Sequence, residues 1–424
     1  MIHAARFYML LGMVAFSLGL AQPGYGYDSS DPAQAAQNKN PPPAATPSSK
    51  VSDRLLKTSN ELIGKQKYDE ALAKLNEIDG MAGKTESDTY LANRIRIVIA
   101  LKTDNQALLL PSLKAVVESG LLPLDERKDF SSELAKIYFR QKDYPQVIST
   151  LSRYFSEGGT DSEMRRLLIS SYSLSGNVER ARDEAVAAVK VEEQAGRKPS
   201  DDILRLQADC AAKLKDQAGY TASIEKLAQY YPQKKYWSYL TSRLTSNPGF
   251  SGRLMLDVYR FMQATDQLDS AKDYMDMSKL ALQSGYAVEA RKVLDQGFQK
   301  GVLGTGEDAA KQRELQAQAE KAVAADLSDI AKKAGTDAKG DKGNEMVNVG
   351  YIYVVQGEFD KGLGMMEQGI RTEDLKRPDD AKLHLGIAYA MANRKEDAIR
   401  ALKTVQGKDG SGDLARYWIM HLGT

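Results

Sequence analysis

Cysteine and histidine are almost missing from this sequence. Its 424 residues hold one cysteine, Cys210, and three histidines. Zinc, haem and iron–sulfur centres need clustered thiolates and imidazoles, so no metal and no cofactor is expected. A lone cysteine cannot close an internal disulfide. Neither sign of charge dominates, with 58 Lys and Arg against 57 Asp and Glu. No net field would draw in nucleic acid or an anionic membrane. Long hydrophobic runs are absent after Ala21, so nothing beyond it is apolar enough to span a bilayer. Sustained alternation of apolar and polar residues is absent as well, which argues against sheets.

What is present begins with a targeting pattern. "MIHAARFYMLLGMVAFSLGLA" has a basic start at Arg6 and an apolar run of about 14 residues. In Gly19-Leu20-Ala21 the glycine and the alanine then supply small residues where a signal peptidase reads. We expect a signal peptide over 1–21 and an exported, periplasmic product, with an uncleaved N-terminal anchor in the inner membrane as the alternative. Residues 22–50 are rich in Pro, Ala, Ser, Gln and Asn and lack bulky apolar side chains. Such a segment cannot bury enough surface to fold, and it reads as a tether.

From Val51 onward the pattern is helical, with breaks every 15 to 20 residues, and it repeats. "VGYIYVVQGEFDKG" (349–362) aligns without gaps on "LGIAYAMANRKEDA" (385–398). The shared frame is a small residue, a large one three later, a turn residue seven later and a small one twelve later. It fits Ser59-Leu62-Gln66-Ala71, Ala211-Leu214-Ala218-Ser223 and Ser278-Ala281-Gly285-Ala290, and more loosely Ala135-Tyr138-Lys142-Val147 and Ile169-Tyr172-Gly176-Ala181. Degenerate units fit near 91–118, 237–263 and 310–333, which makes about ten hairpins. A period near 34 to 36 with two helices per repeat is a solenoid signature. Small residues mark the points where helix backbones cross closely.

"GEFDKGLG" (357–364) tests that reading. Two glycines five apart resemble a phosphate-binding loop, but Leu363 and Gly364 stand where that loop needs a lysine and a hydroxyl. In the repeat frame Gly357 is a turn and Gly362 a crossing residue, so no phosphate is needed. Gly364 and Gly369 have no place in the frame, and they are expected to soften their helix.

The segments "YDEALAKL" (68–75), "GNVERARDEA" (176–185) and "HLGIAYAMANRKEDAIRAL" (384–402) resemble the tetratricopeptide repeat family. The resemblance covers most of 51–406 and implies an all-α, right-handed superhelical solenoid. We expect an N-terminal array over 51–331, a flexible break at 332–345, and a C-terminal repeat pair with a capping helix over 346–424. It also implies that first helices line a groove for a protein or peptide. Mapped onto this sequence, the inward positions are Lys136, Phe139, Arg166, Ser170, Ser173, Arg205 and Lys215. A basic groove of this kind suits an acidic peptide. The family's carboxylate-gripping asparagines are absent.

A second candidate patch is Tyr236, Trp237 and Tyr239, which could cover a join between repeats or anchor a partner. Asp337, Asp341 and Glu345 fail the spacing of a calcium loop, because Lys339 and Lys342 interrupt it. His384 and His421 read as ordinary helix residues, and Cys210 as a small buried hydrophobe. No nucleophile–base constellation emerges. The expected function is a non-enzymatic interaction scaffold in the cell envelope. The alternatives are a chaperone-like binder of exported chains and an enzyme accessory.

Overall fold

The computed structural model describes residues 44–333, 342–372 and 375–423. Among them every regular element is helical: twenty α-helices and one short 3₁₀ turn. The chain divides into two compact units, one ending at Leu214 and the other beginning at Lys215.

The first unit holds α1 (Lys50–Gly64), α2 (Tyr68–Asp79), α3 (Glu86–Lys102), α4 (Gln106–Glu118), α5 (Leu124–Arg140), α6 (Tyr144–Ser156), α7 (Ser162–Leu174), α8 (Val178–Gln194) and α9 (Asp201–Lys213). Each helix packs on the next, and α1 also touches α3, α5 touches α7, and α7 touches α9. That pattern is helical hairpins stacked in chain order. Its interior is aliphatic with a few rings, among them Leu56, Leu75, Ile97, Leu113 and Phe130. At its start the buried Asp88 accepts from the backbone N–H groups of Ser48 and Thr85, both at 3.0 Å. Burial alone would push this carboxyl up. The hydrogen bonds from Ser48, Ser52 and Thr85 outweigh it and hold the group well below the usual carboxylate range.

The second unit holds α10 (Gln217–Tyr230), α11 (Lys234–Thr245), a 3₁₀ turn (Gly252–Leu254), α12 (Met255–Ala264), α13 (Ala271–Gln283), α14 (Ala287–Gln299), α15 (Ala309–Lys333), α16 (Lys342–Gln356), α17 (Phe359–Ile370), α18 (Pro378–Met391), α19 (Lys395–Leu402) and α20 (Ser411–Leu422). The last helix does cap the final hairpin, packing on α18 and α19, but it also packs on α10 and α12. The second unit is therefore closed on itself. Arg416 on α20 pairs with Glu225 on α10 at 2.5 Å, and Arg253 pairs with Asp380 and Asp409 at 2.8 and 2.6 Å.

The repeat frame read from the sequence is a set of helix crossings. Its small residues are buried in both helices of the hairpin: Ser59 with Ala71, Ser278 with Ala290, Gly350 with Gly362 and Gly386 with Ala398. The Ser59 hydroxyl donates across the crossing to the Ala71 carbonyl at 2.9 Å. The turn residues Gln66, Lys142, Gly176, Gly285, Gly357 and Asn393 all have positive φ. Around Gly357 the amides of Glu358 and Gly357 donate to the carbonyls of Tyr353 and Val354, both at 2.9 Å. This closes the helix end with a left-handed residue, which glycine adopts at no steric cost. The frame slips once. After Ala211 the positive φ falls on Lys215 instead of Ala218, and α10 begins at Gln217.

Two other expectations change. Residues 310–333, where a degenerate hairpin was expected, form one continuous helix, α15. No glycine or proline interrupts that stretch, so nothing stops the helix. Of the break expected at 332–345, residues 334–341 lie outside the described residues, as do Asp337 and Asp341 of the rejected calcium loop. Lys333 ends α15, and Glu345 lies within α16. The tether and signal segment, up to residue 43, are likewise outside them.

Candidate functional site

The candidate groove side chains of the first unit come from α5, α7 and α9. Lys136, 22% exposed, sits between Glu133 at 3.0 Å and Glu163 on α7 at 3.9 Å. Phe139 is half-buried and meets Tyr144 edge-on at 5.9 Å. Arg166 and Ser170 are half-buried on α7. The Ser173 hydroxyl accepts from Lys213 of α9 at 2.7 Å. Arg205 is exposed and pairs with Asp201 one turn earlier at 2.7 Å. Helices α5, α7 and α9 thus bring six of the seven residues onto stacked elements. Lys215 lies past the end of α9, in the turn that opens the second unit, so it does not continue that helical face.

The face carries charge of both signs. Lys136 lines a cavity of about 350 Å³ whose other walls include Asp129, Glu133 and Asp161 with the hydroxyls of Ser132 and Thr160. Reading only the inward line of cations overlooked these acids. The signal was available, because Glu133 stands three residues before Lys136 and Asp201 four before Arg205. At those spacings helix side chains meet. Arg166 takes no carboxylate partner among the described residues.

In the aromatic patch, Tyr236 and Trp237 are 5% and 3% exposed. Trp237 packs edge-on against Phe261 at 5.5 Å and His421 at 6.0 Å. Tyr239 is half-buried. Its hydroxyl accepts from Gln217 at 2.9 Å, and it lines a cavity of about 470 Å³ with Ser242, Arg243 and Asn247. Of the three rings, Tyr239 is the one open to the surface. Cys210 is fully buried, and burial pushes its thiol up, which keeps it un-ionised.

The most concentrated chemistry in the molecule has no local motif. In the second unit Arg260 of α12 is buried and donates from Nε and Nη2 to the two oxygens of Glu289 on α14, at 2.8 and 2.7 Å. Its Nη1 donates to Asp257 at 2.7 Å, and His384 Nε2 of α18 lies 3.0 Å from the same carboxylate oxygen. The rings of Tyr286 and Tyr351 stand 4.8 and 4.3 Å from the guanidinium carbon. Neither histidine is an ordinary helix residue. His384 belongs to this buried cluster, and His421 lies among Trp237, Phe261 and Trp418, where burial pushes its pKa down.

Burial pushes the Asp257 carboxyl up, but His384 and Arg260 outweigh it and hold it down at about 2. Burial pushes the Tyr286 phenol up to about 12. Every polar arm of Arg260 meets an acceptor or a ring face, so the cluster binds helices together and offers no reactive group. It also sets an acid limit. A carboxyl lowered in the folded state contributes stability that is full above its unfolded value of about 4. That contribution is lost as pH falls through the folded value. Tryptophan fluorescence, which reports only the second unit because both tryptophans lie there, should show stability falling between about pH 4 and pH 2. Asp257→Asn should flatten that dependence.

The chain is an all-α protein of tetratricopeptide-like helical hairpins, as its own crossings and turns show. No protein-family model matches it, and no curated protein is similar in sequence. Among solved structures it is similar to the TPR domain of P58(IPK), with 12% identity over 87% of this chain and 96% of that one, at a TM-score of 0.21. It is also similar to the pentatricopeptide repeat protein PPR10 from maize (11% identity, 97% and 65% coverage, TM-score 0.27) and to Naa15/Naa10 bound to HypK-THB (12%, 87% and 66%, 0.27). The chain spans less than two thirds of the length of PPR10 and about two thirds of the matched chain of the Naa15/Naa10 structure. These scores are too low to carry an argument about what the chain binds.

Proposed function

We propose that the chain is a non-enzymatic scaffold or adaptor of the cell envelope, binding a peptide or partner subunit along the face of α5, α7 and α9. The observation that carries this reading is that Lys136, Phe139, Arg166, Ser170, Ser173 and Arg205 lie on three helices of which the middle one, α7, packs on both α5 and α9. Stacked hairpins repeat the same helix face at regular intervals, which suits an extended ligand. Arg166 is the natural anchor, since Lys136 and Arg205 already hold carboxylates. The export pattern of residues 1–21 supports the location. Among the described residues no helix is long and apolar enough to cross a membrane.

Crosslinking and capture from envelope fractions tests the proposal. Reversal of Lys136, Arg166 and Arg205 to Glu should reduce capture of the specific partner at least fivefold, with Arg166→Glu giving the largest single loss. Capture unchanged by the triple reversal would discard this face as the binding site.

A further inference from the structure

The cavity of about 470 Å³ in the second unit opens where the end of α11 meets the start of α10. Its volume falls within the range of ordinary ligand sites. Tyr239, Ser242, Arg243 and Ser246 form one wall. They stand at i, i+3, i+4 and i+7, which is a single helix face. The buried face of α11, with Trp237, Leu240 and Leu244, is the opposite one. Asn247 and Pro248 line the cavity just past the helix, and so does Gln217, the first residue of α10.

None of these walls is a carboxylate, whereas the cavity around Lys136 holds three. The nearest acid in sequence, Asp216, is engaged as the cap of α10 and accepts from the Gly219 amide at 2.9 Å. Arg243 is exposed and makes no hydrogen bond or ion pair among the described residues, so its five N–H donors are open. The groups around it are anchored. The Tyr239 hydroxyl accepts from Gln217 at 2.9 Å and lies 3.2 Å from Thr221 Oγ1, and Tyr220 meets its ring edge-on at 5.2 Å. Asn247 Oδ1 accepts from the Gly249 amide at 3.0 Å. What stays open beside Arg243 is the Asn247 amide nitrogen as a donor, Gln217 Oε1 as an acceptor, and the hydroxyls of Ser242 and Ser246 as both.

We propose that this cavity is a second binding site, made by residues other than those of the face of α5, α7 and α9, and that it takes an acidic carbohydrate, a uronic acid ring. The carboxylate takes the open fork of Arg243, a planar donor set matched to it. Every sugar hydroxyl both donates and accepts, and the remaining walls supply both kinds of partner. The C–H face of the ring lies on Tyr239, whose π face is negative. The apolar walls are that ring and Pro248 alone, too little to anchor the large side chains that hold a peptide. A phosphate is disfavoured because α11 ends at Ser246, and a helix C-terminus carries partial negative charge. Those last carbonyls repel a dianion but accept from hydroxyls. The inference stands whether or not the groove reading holds.

The test is fluorescence anisotropy on the full chain with two labelled acidic sugars, a hyaluronan tetrasaccharide and tetragalacturonate. Neutral chitotetraose and a tetraglutamate peptide amide are the controls. Saturable binding of at least one acidic sugar is expected, at least tenfold tighter than either control. Arg243→Gln should weaken Kd at least tenfold and erase the preference over chitotetraose. The pair Ser242→Ala and Ser246→Ala should weaken it about threefold or more. All three positions are exposed, so folding is not endangered, and Arg166→Glu should leave Kd within twofold. Free glucuronate should displace the label in full. Displacement at concentrations near the tetrasaccharide Kd points to a free sugar and displacement only well above it to a sugar chain, and both support the site. No saturable binding of either acidic sugar, equal binding of tetraglutamate, displacement by inorganic phosphate as readily as by glucuronate, or binding untouched by Arg243→Gln would each overturn the proposal.

Discussion

Arg260→Leu is expected to unfold the second unit at much lower urea while leaving the helices of the first in place. The substitution removes the one residue that holds Glu289 by two hydrogen bonds and Asp257 by one, all in a buried setting. Two carboxylates would remain buried, Asp257 with the imidazole of His384 beside it and Glu289 without its guanidinium. Breaking a buried ion pair from one side costs about 3–5 kcal/mol, because the orphaned charge keeps its desolvation cost. Fluorescence of Trp237 and Trp418 should report a lowered urea midpoint. Far-UV circular dichroism should lose its signal in two steps, since the first unit holds no part of the cluster. A second variant separates charge from packing. Arg260→Met combined with Asp257→Asn and Glu289→Gln removes the whole set of opposed charges, and it should recover a large part of the loss. A single variant as stable as the parent chain would show that the cluster adds nothing to the closure of this unit.

The contrast between this cluster and the repeat frame shows what the sequence makes legible. Frame residues obey a local rule: a crossing needs small side chains twelve residues apart, and the turn between needs a left-handed residue. Ser59, Gly350 and Ala398 could therefore be placed from spacing alone, as could the turns at Gly176 and Asn393. The all-α class followed from the same periodicity. The ion cluster obeys no such rule. Asp257 and Arg260 lie one turn apart and look like any surface i,i+3 pair, while Glu289 is 29 residues away and His384 is 127 residues from Asp257. The cluster forms where Glu289 of α14, Tyr351 of α16 and His384 of α18 converge on Asp257 and Arg260 of α12. Trp237 was ambiguous for the same reason, because its neighbour His421 lies at the far end of the chain. The acids Glu133 and Asp201 are a different case. They were legible at helical spacing, and they change the candidate groove from basic to mixed.

Gly362→Ala should be among the most damaging of small substitutions in the chain, although alanine is the better helix former by about 1 kcal/mol. A Cβ added at Gly362 would lie 2.5 Å from the Gly350 carbonyl oxygen and 2.8 Å from the Val354 backbone nitrogen. The reverse change meets the same wall: a Cβ at Gly350 would lie 2.6 Å from the Gly362 carbonyl oxygen. Both obstacles are backbone, so no side chain can swing aside and the helices must separate. The same register explains Gly369, where a Cβ would lie 2.6 Å from the Gly343 carbonyl oxygen. Antiparallel α16 and α17 thus meet glycine to glycine at two points seven residues apart. Forcing them apart strips contacts from Met366 and Val354, a loss of roughly 2–3 kcal/mol in the range of overpacked cores. Gly364 supplies the control within the same helix, because a Cβ there meets nothing within 4 Å. Gly364→Ala should stabilise by up to about 1 kcal/mol through propensity alone. Urea midpoints read by tryptophan fluorescence should therefore move in opposite directions for two identical substitutions two residues apart. Equal shifts of one sign would mean that the close crossing of α16 and α17 is not what selects glycine at position 362.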